Sequence, residues 1–173
     1  MSLGWLRGLH PVERDATLLR CSFEVYGMPD HEADIATYLT LDGHVFIAPQ
    51  YNIAYDRDLD EGGSCPDFVA LDLKLREVVI VEVTAGADLK PLFGRIKQRE
   101  TRWYGPIRRK LQEVGAIADD WRPTRFLGFI RHDGLELANR TFSSDADVAF
   151  CAIEQATFLW KYWTERIQHG LPR

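Results

Sequence analysis

The stretch CPDFVALDLKLREVVIVEV constrains this chain more than any other. Its two halves, PDFVALD and EVVIVEV, are apolar at successive positions, and a more polar turn from Asp72 to Arg76 separates them. A strand that is apolar on both faces needs cover on both faces. The pattern therefore predicts a hairpin inside a sheet with helices on each side. With the turn centred between Lys74 and Leu75, Asp67 lies opposite Glu82, and both project from one face. Thr84 follows Glu82 by two positions and shares that face.

Two carboxylates set against each other on apolar strands repel and lose hydration. A hard divalent cation, Mg²⁺ or Mn²⁺, resolves the conflict because such ions prefer oxygen ligands. The plainer alternative has Asp67 capping a turn after Pro66 and Glu82 in an ordinary ion pair. The apolar setting of VVIVEV weighs towards the metal.

Around the hairpin the chain reads as one layered domain over residues 1–173. TLLRCSFEVYG is strand-like in its middle. MPDHEADIATYLTLDG reads as a helix, with Pro29 in its first turn, Asp30, Glu32 and Asp34 near its positive end, and Gly43 stopping it. HVFIAPQYNIAYD is extended, and DRDLDEGGSC is a polar loop. After the hairpin, Pro91 opens a basic helix through about Tyr104; Gly105 and Pro106 interrupt it, and a second helix covers Ile107 to Glu113. TRFLGFIRHDG is a further strand ending in a turn. DADVAFCAIEQATFLWKYWTERI reads as a closing helix, capped by Asp145 or Asp147, with a long aromatic face. The expected order is α-β-β-β-α-β-α, an α/β fold with a central mixed sheet.

Composition narrows the function. No apolar run approaches the roughly 20 residues a membrane span needs, and the first residues lack a secretory signal's apolar core, so a cytoplasmic protein is expected. Cys21, Cys65 and Cys151 form no CxxC pair, which gives no support to a zinc knuckle or a disulfide framework. The five histidines make no H-x-x-H or H-E-x-x-H pattern, and neither a G-x-S-x-G elbow nor a phosphate loop is present. The net charge is −5, yet Lys90, Arg95, Lys97, Arg99, Arg102, Arg108, Arg109 and Lys110 crowd one segment opposed only by Glu100. That segment is either a phosphate-binding face or a solvated helix surface.

In their order and spacing, HEADIATYLTLDG, CPDFVALD and VIVEVTAG resemble the PD-(D/E)XK nucleases. Those proteins carry a helix with a glutamate, then a hairpin with an aspartate on one strand and E-X-K on the next. The first segment is similar to the helix of Holliday-junction-resolvase-like members, and the similarity spans Pro29 to Lys110. The resemblance implies a restriction-endonuclease-like core in which Glu32, Asp67 and Glu82, with the main-chain carbonyl of Val83, hold Mg²⁺ or Mn²⁺. It further implies hydrolysis of phosphodiester bonds in nucleic acid, with DNA the expected substrate.

The sequence departs from the family at Thr84, where the pattern has lysine. In some relatives the next helix supplies that charge; Lys90, Arg95 and Lys97 are available here, and Lys97 is the expected replacement. Gln98 and Tyr104 are similar to the glutamine and tyrosine of RecB-like members, at a different spacing. Lys90, Arg95, Arg99 and Arg102 are the expected nucleic-acid contacts. The missing lysine equally suits a degenerate module that binds nucleic acid or a protein partner without cleavage. Phe158, Leu159, Trp160, Tyr162 and Trp163 suit core packing or a homodimer contact.

Overall fold

The computed structural model describes residues 31–54 and 63–157. The strand-like TLLRCSFEVYG, the acidic stretch from Asp56 to Glu61 and the aromatic run from Phe158 to Trp163, with the homodimer contact expected of it, lie outside them. The architecture is α/β, with a five-stranded mixed sheet between helical layers.

The sheet is built on the hairpin. Strands β4 (Phe68–Asp72) and β5 (Glu77–Thr84) pair antiparallel, with Phe68 opposite Val81 and Asp72 opposite Glu77. That is the register read from the sequence, and one step beyond it Asp67 stands opposite Glu82. The turn is held by the Asp72 carboxylate, which accepts the Leu75 amide at 2.8 Å, and by Arg76 in the left-handed region. Strand β1 (Val45–Pro49) adds antiparallel to β4, and β6 (Arg125–Ile130) and β7 (Val148–Ala152) add in parallel beyond β5. The order β1-β4-β5-β6-β7 leaves the hairpin away from both edges. Two short strands, β2 (Ile53–Ala54) and β3 (Gly63–Ser64), form a separate ladder.

Alternation along the strands divides the core in two. Val69, Val78, Ile80, Phe126 and Ile130 point to a layer formed by α2 (Lys90–Lys97), a π-helical turn (Glu100–Tyr104), α3 (Gly105–Glu113) and α4 (Leu135–Thr141). Phe68, Ala70, Val81 and Phe129 point the other way, to α1 (His31–Thr40) and α5 (Ile153–Thr157). Helix α1 has Glu32 and Asp34 in its first turn, buries Ile35, and is followed by Gly43 at φ 72°. Among the described residues no helix is long and apolar enough to cross a membrane.

Three expectations need correction. The closing helix does not begin at Asp145 or Asp147: Val148–Ala152 is a strand, and α5 starts at Ile153. The β-forming Val148, Phe150 and Cys151 pair along β6, and this tertiary pairing overrides the helical pattern. The basic helix already ends at Lys97, with Gln98 as its C-cap, and Gly105 and Pro106 open α3 where the Gly105 amide reaches back to the Glu100 carbonyl in a wide π turn. That turn admits Pro106, whose absent N–H costs little at the start of α3. Finally, α4 follows β6 where only a turn was expected.

Candidate functional site

Alternation on β5 carries Ile80 and Glu82 to the α2 side, and alternation on β4 carries Asp67 there too. The chain thus places both carboxylates under α2, beyond the last paired residues of the hairpin. Glu82 is in register with Gly128 on β6, which in turn is in register with Phe150 on β7. A β-carbon at Gly128 would stand 2.7 Å from the Phe150 ring. The glycine lets that ring lie in the row beside Glu82, where a larger residue would displace it. Phe150 also packs with Phe93 of α2 and with Phe142. The Glu82 side chain is left only 4% exposed.

Among the described residues each carboxylate has one directly bonded partner. Asp67 Oδ2 accepts the Val83 amide at 2.6 Å, tying the start of one strand to the end of the other. Glu82 Oε2 meets Arg95 Nη1 at 2.8 Å. Burial raises the Asp67 pKa, and the Val83 amide and the Arg95 charge only partly offset it. Burial, followed by repulsion from Asp67, raises that of Glu82 to about 7, against the pull of Arg95 and Arg102. One guanidinium in direct contact therefore does not compensate two desolvated carboxylates. Hard oxygen donors with excess negative charge, held at the ends of adjacent central strands, fit a divalent cation.

The other expected site residues lie on different elements. Glu32 belongs to α1, whose core contacts lie on the opposite face of the sheet. Among the described residues no group of three or more His, Cys, Asp and Glu side chains is arranged to hold a metal ion. Val83 contributes its amide to Asp67. Thr84 closes β5, half-buried, beside Ile130. Lys97 is exposed at the end of α2, and it is Arg95 that reaches the carboxylates. Helical phase explains the choice. Leu92 and Ile96 face the sheet, Arg95 lies on the same side, and Lys97 is turned away. Reading that phase from Leu92 and Ile96 would have selected Arg95 from the sequence.

The basic segment likewise divides. Lys90 is exposed at the start of α2, where its amide is capped by Asp88 at 3.0 Å. Arg102 is half-buried and close enough to Glu82 to favour its charged form. Arg99, expected on a phosphate-binding face, is instead held by Asp147 at 2.6 Å and Asp145 at 2.7 Å. Tyr104 donates to the same Asp147 at 2.9 Å. Trp103 is fully buried, stacked on Phe126 and donating to Ser64 at 2.6 Å, so it is a core residue. The Arg99 cluster was missed in the sequence; its signal was the acidic pair in DADV, read there as a helix cap. Comparison of the chain with models of known protein families, with curated proteins and with solved structures gives no match.

Proposed function

We propose that this protein is a metal-dependent nucleic-acid phosphodiesterase acting on DNA in the cytoplasm. In this reading Asp67 and Glu82 hold Mg²⁺ or Mn²⁺. The observation that carries it is the pair of desolvated carboxylates, opposite each other on central strands, with an arginine nitrogen 2.8 Å from one of them. When bound, the cation polarises the phosphate and makes water a stronger nucleophile at neutral pH. Arg95 supplies the positive charge that Thr84 lacks, reaching the site from α2 as the family's lysine does from the strand. Its guanidinium suits a phosphate because it can donate in parallel to two oxygens. Val83 keeps the Asp67 carboxylate turned towards its neighbour. The Glu82 side chain is almost fully buried, and in that dry setting the opposing charges act more strongly. The exposed Lys90 and Lys97, with Arg102, provide contacts to the phosphate backbone.

The test combines calorimetric titration of Mn²⁺ with cleavage assays on single- and double-stranded DNA and on RNA. Saturable Mn²⁺ uptake and DNA cleavage are expected in the wild type. In Asp67→Ala uptake should be lost and cleavage should fall at least about a hundredfold. Full activity in that variant would sink the assignment.

The Arg95–Glu82 ion pair also favours a second reading, because it closes one carboxylate without any metal. A nuclease-like module that binds nucleic acid or a protein partner without cutting would show binding, no Mn²⁺ uptake and no turnover. The same titration separates the two.

A further inference from the structure

Arg95 holds one of the two carboxylates that a cation would use. Asp67 offers Oδ1 while Oδ2 holds the Val83 amide, so a divalent ion needs Glu82 as well. Glu82 is contacted through Oε2 by Arg95 at 2.8 Å and is almost entirely shielded from water, which could otherwise weaken that contact. The Arg95 side chain, by contrast, is 36% exposed. Arg99, one turn along, is gripped by two aspartates. Among the described residues the helical layer thus carries one arginine anchored by two aspartates and one ion-paired with Glu82 alone.

We propose that Arg95 is an electrostatic gate on the metal site. In the metal-free chain it neutralises Glu82 and competes with the divalent cation for that carboxylate; when the cation binds, Arg95 leaves Glu82 and its charge passes to the substrate phosphate. The inference rests on the phosphodiesterase reading and adds a regulatory property to it. Cation and substrate then support each other. A bound phosphate gives the displaced guanidinium a new partner, so each ligand raises the affinity for the other.

The experiment is calorimetric titration of Mn²⁺ into the wild type, Arg95→Gln, Arg95→Lys and Asp67→Ala, with thermal melting to confirm folding. Arg95→Gln removes the charge beside the ion and should bind Mn²⁺ about tenfold more tightly, whereas Arg95→Lys should stay near the wild type. In parallel, the Arg95 Nε–H resonance of the wild type, assigned by its loss in Arg95→Lys, should move as Mg²⁺ is added. Unchanged Mn²⁺ affinity in Arg95→Gln, or an Arg95 signal that stays fixed while Mg²⁺ binds, overturns the gate and leaves the metal site standing. No Mn²⁺ uptake by the wild type removes the metal reading itself, and the gate with it. The resonance test needs only the conservative Arg95→Lys variant to fold.

Discussion

Arg95 and Arg99 lie one turn apart on the same helical run, and each meets carboxylates from the strand layer, with opposite results. Arg99 donates to Asp145 and Asp147 together, and Tyr104 adds a third donor to the cluster. These bonds hold the Asp147 carboxyl below its ordinary range and drive the Arg99 pKa upward, while burial, with the Asp147 bond, raises that of Tyr104. Donors and acceptors there are matched, and the cluster locks the helical layer to the segment entering β7. Around Glu82 the balance fails. Two carboxylates face one directly bonded guanidinium, burial outweighs it, and the Glu82 pKa rises. A matched network is what a structural tie requires. An unmatched one stores charge for a ligand, and such imbalance concentrates at functional sites.

The largest effect should come from pH. The folded-state pKa of Glu82 lies above its ordinary value of 4.5, at about 7. Its favourable contribution is therefore complete below about pH 4.5 and is lost as the pH rises through 7. The metal-free protein should lose on the order of 3 kcal/mol of stability between pH 5 and pH 8 from this group. Asp147 runs the other way. Its lowered pKa contributes stability at neutral pH that disappears only as acid protonates it. Denaturant unfolding in a chelator, at pH 5 and pH 8 for Glu82 and extended below pH 3.8 for Asp147, checks both signs. Glu82→Gln should flatten the decline between those values. An equally steep decline in that variant would show that the site is compensated after all and erase the contrast with Arg99.

Removing the matched arginine comes next. Arg99 is 14% exposed and its aspartates 29%, so Arg99→Ala strands two carboxylates and leaves the Tyr104 hydroxyl with a highly charged acceptor. A cost of about 2 kcal/mol is expected at pH 7, below that of a fully buried pair because water reaches these groups. It should shrink as the pH falls and Asp147 protonates. Arg95→Ala should behave in the opposite sense functionally, with the greater loss in DNA cleavage. The two variants, compared by chemical denaturation and by turnover, exchange roles if the structural and functional assignments are reversed.

The hairpin was legible in the sequence because its signal is local. Continuous apolar runs, a polar turn and a pairing period of two fix which residues face each other, so Asp67 opposite Glu82 follows from the turn alone. The identity of their cation was also recoverable, since the phase of Leu92 and Ile96 points Arg95 inward. Other features depended on distant partners. Asp145 and Asp147 carry the same cap-like signature whether they start a helix or bind Arg99, and only the packing of α2 on the sheet decides. VAFCA fits a helical apolar face until β6 offers it a neighbour. The π turn that admits Pro106 at the start of α3 has no short-range mark at all. Glu32 lies on a helix that packs against the other face of the sheet, a placement that linear order does not disclose.

The smallest effect distinguishes Arg95 from its neighbour Lys97. Both are basic, both lie on α2, and the sequence alone favoured the lysine as the motif's replacement. Lys97 is exposed and turned from the sheet, so Lys97→Ala should leave the melting temperature and Mn²⁺ affinity unchanged. If α2 tracks a nucleic-acid backbone, the variant should bind DNA more weakly at low salt. Removing one lysine that neutralises a phosphate lowers the slope of log affinity against log salt by about 1, independently of sequence. Turnover at saturating DNA should remain. A loss of turnover matching that of Arg95→Ala would mean that the lysine, despite its outward position, reaches the reacting phosphate. The ion pair at Glu82 would then be structural, and the contrast between Arg95 and Arg99 would be one of degree.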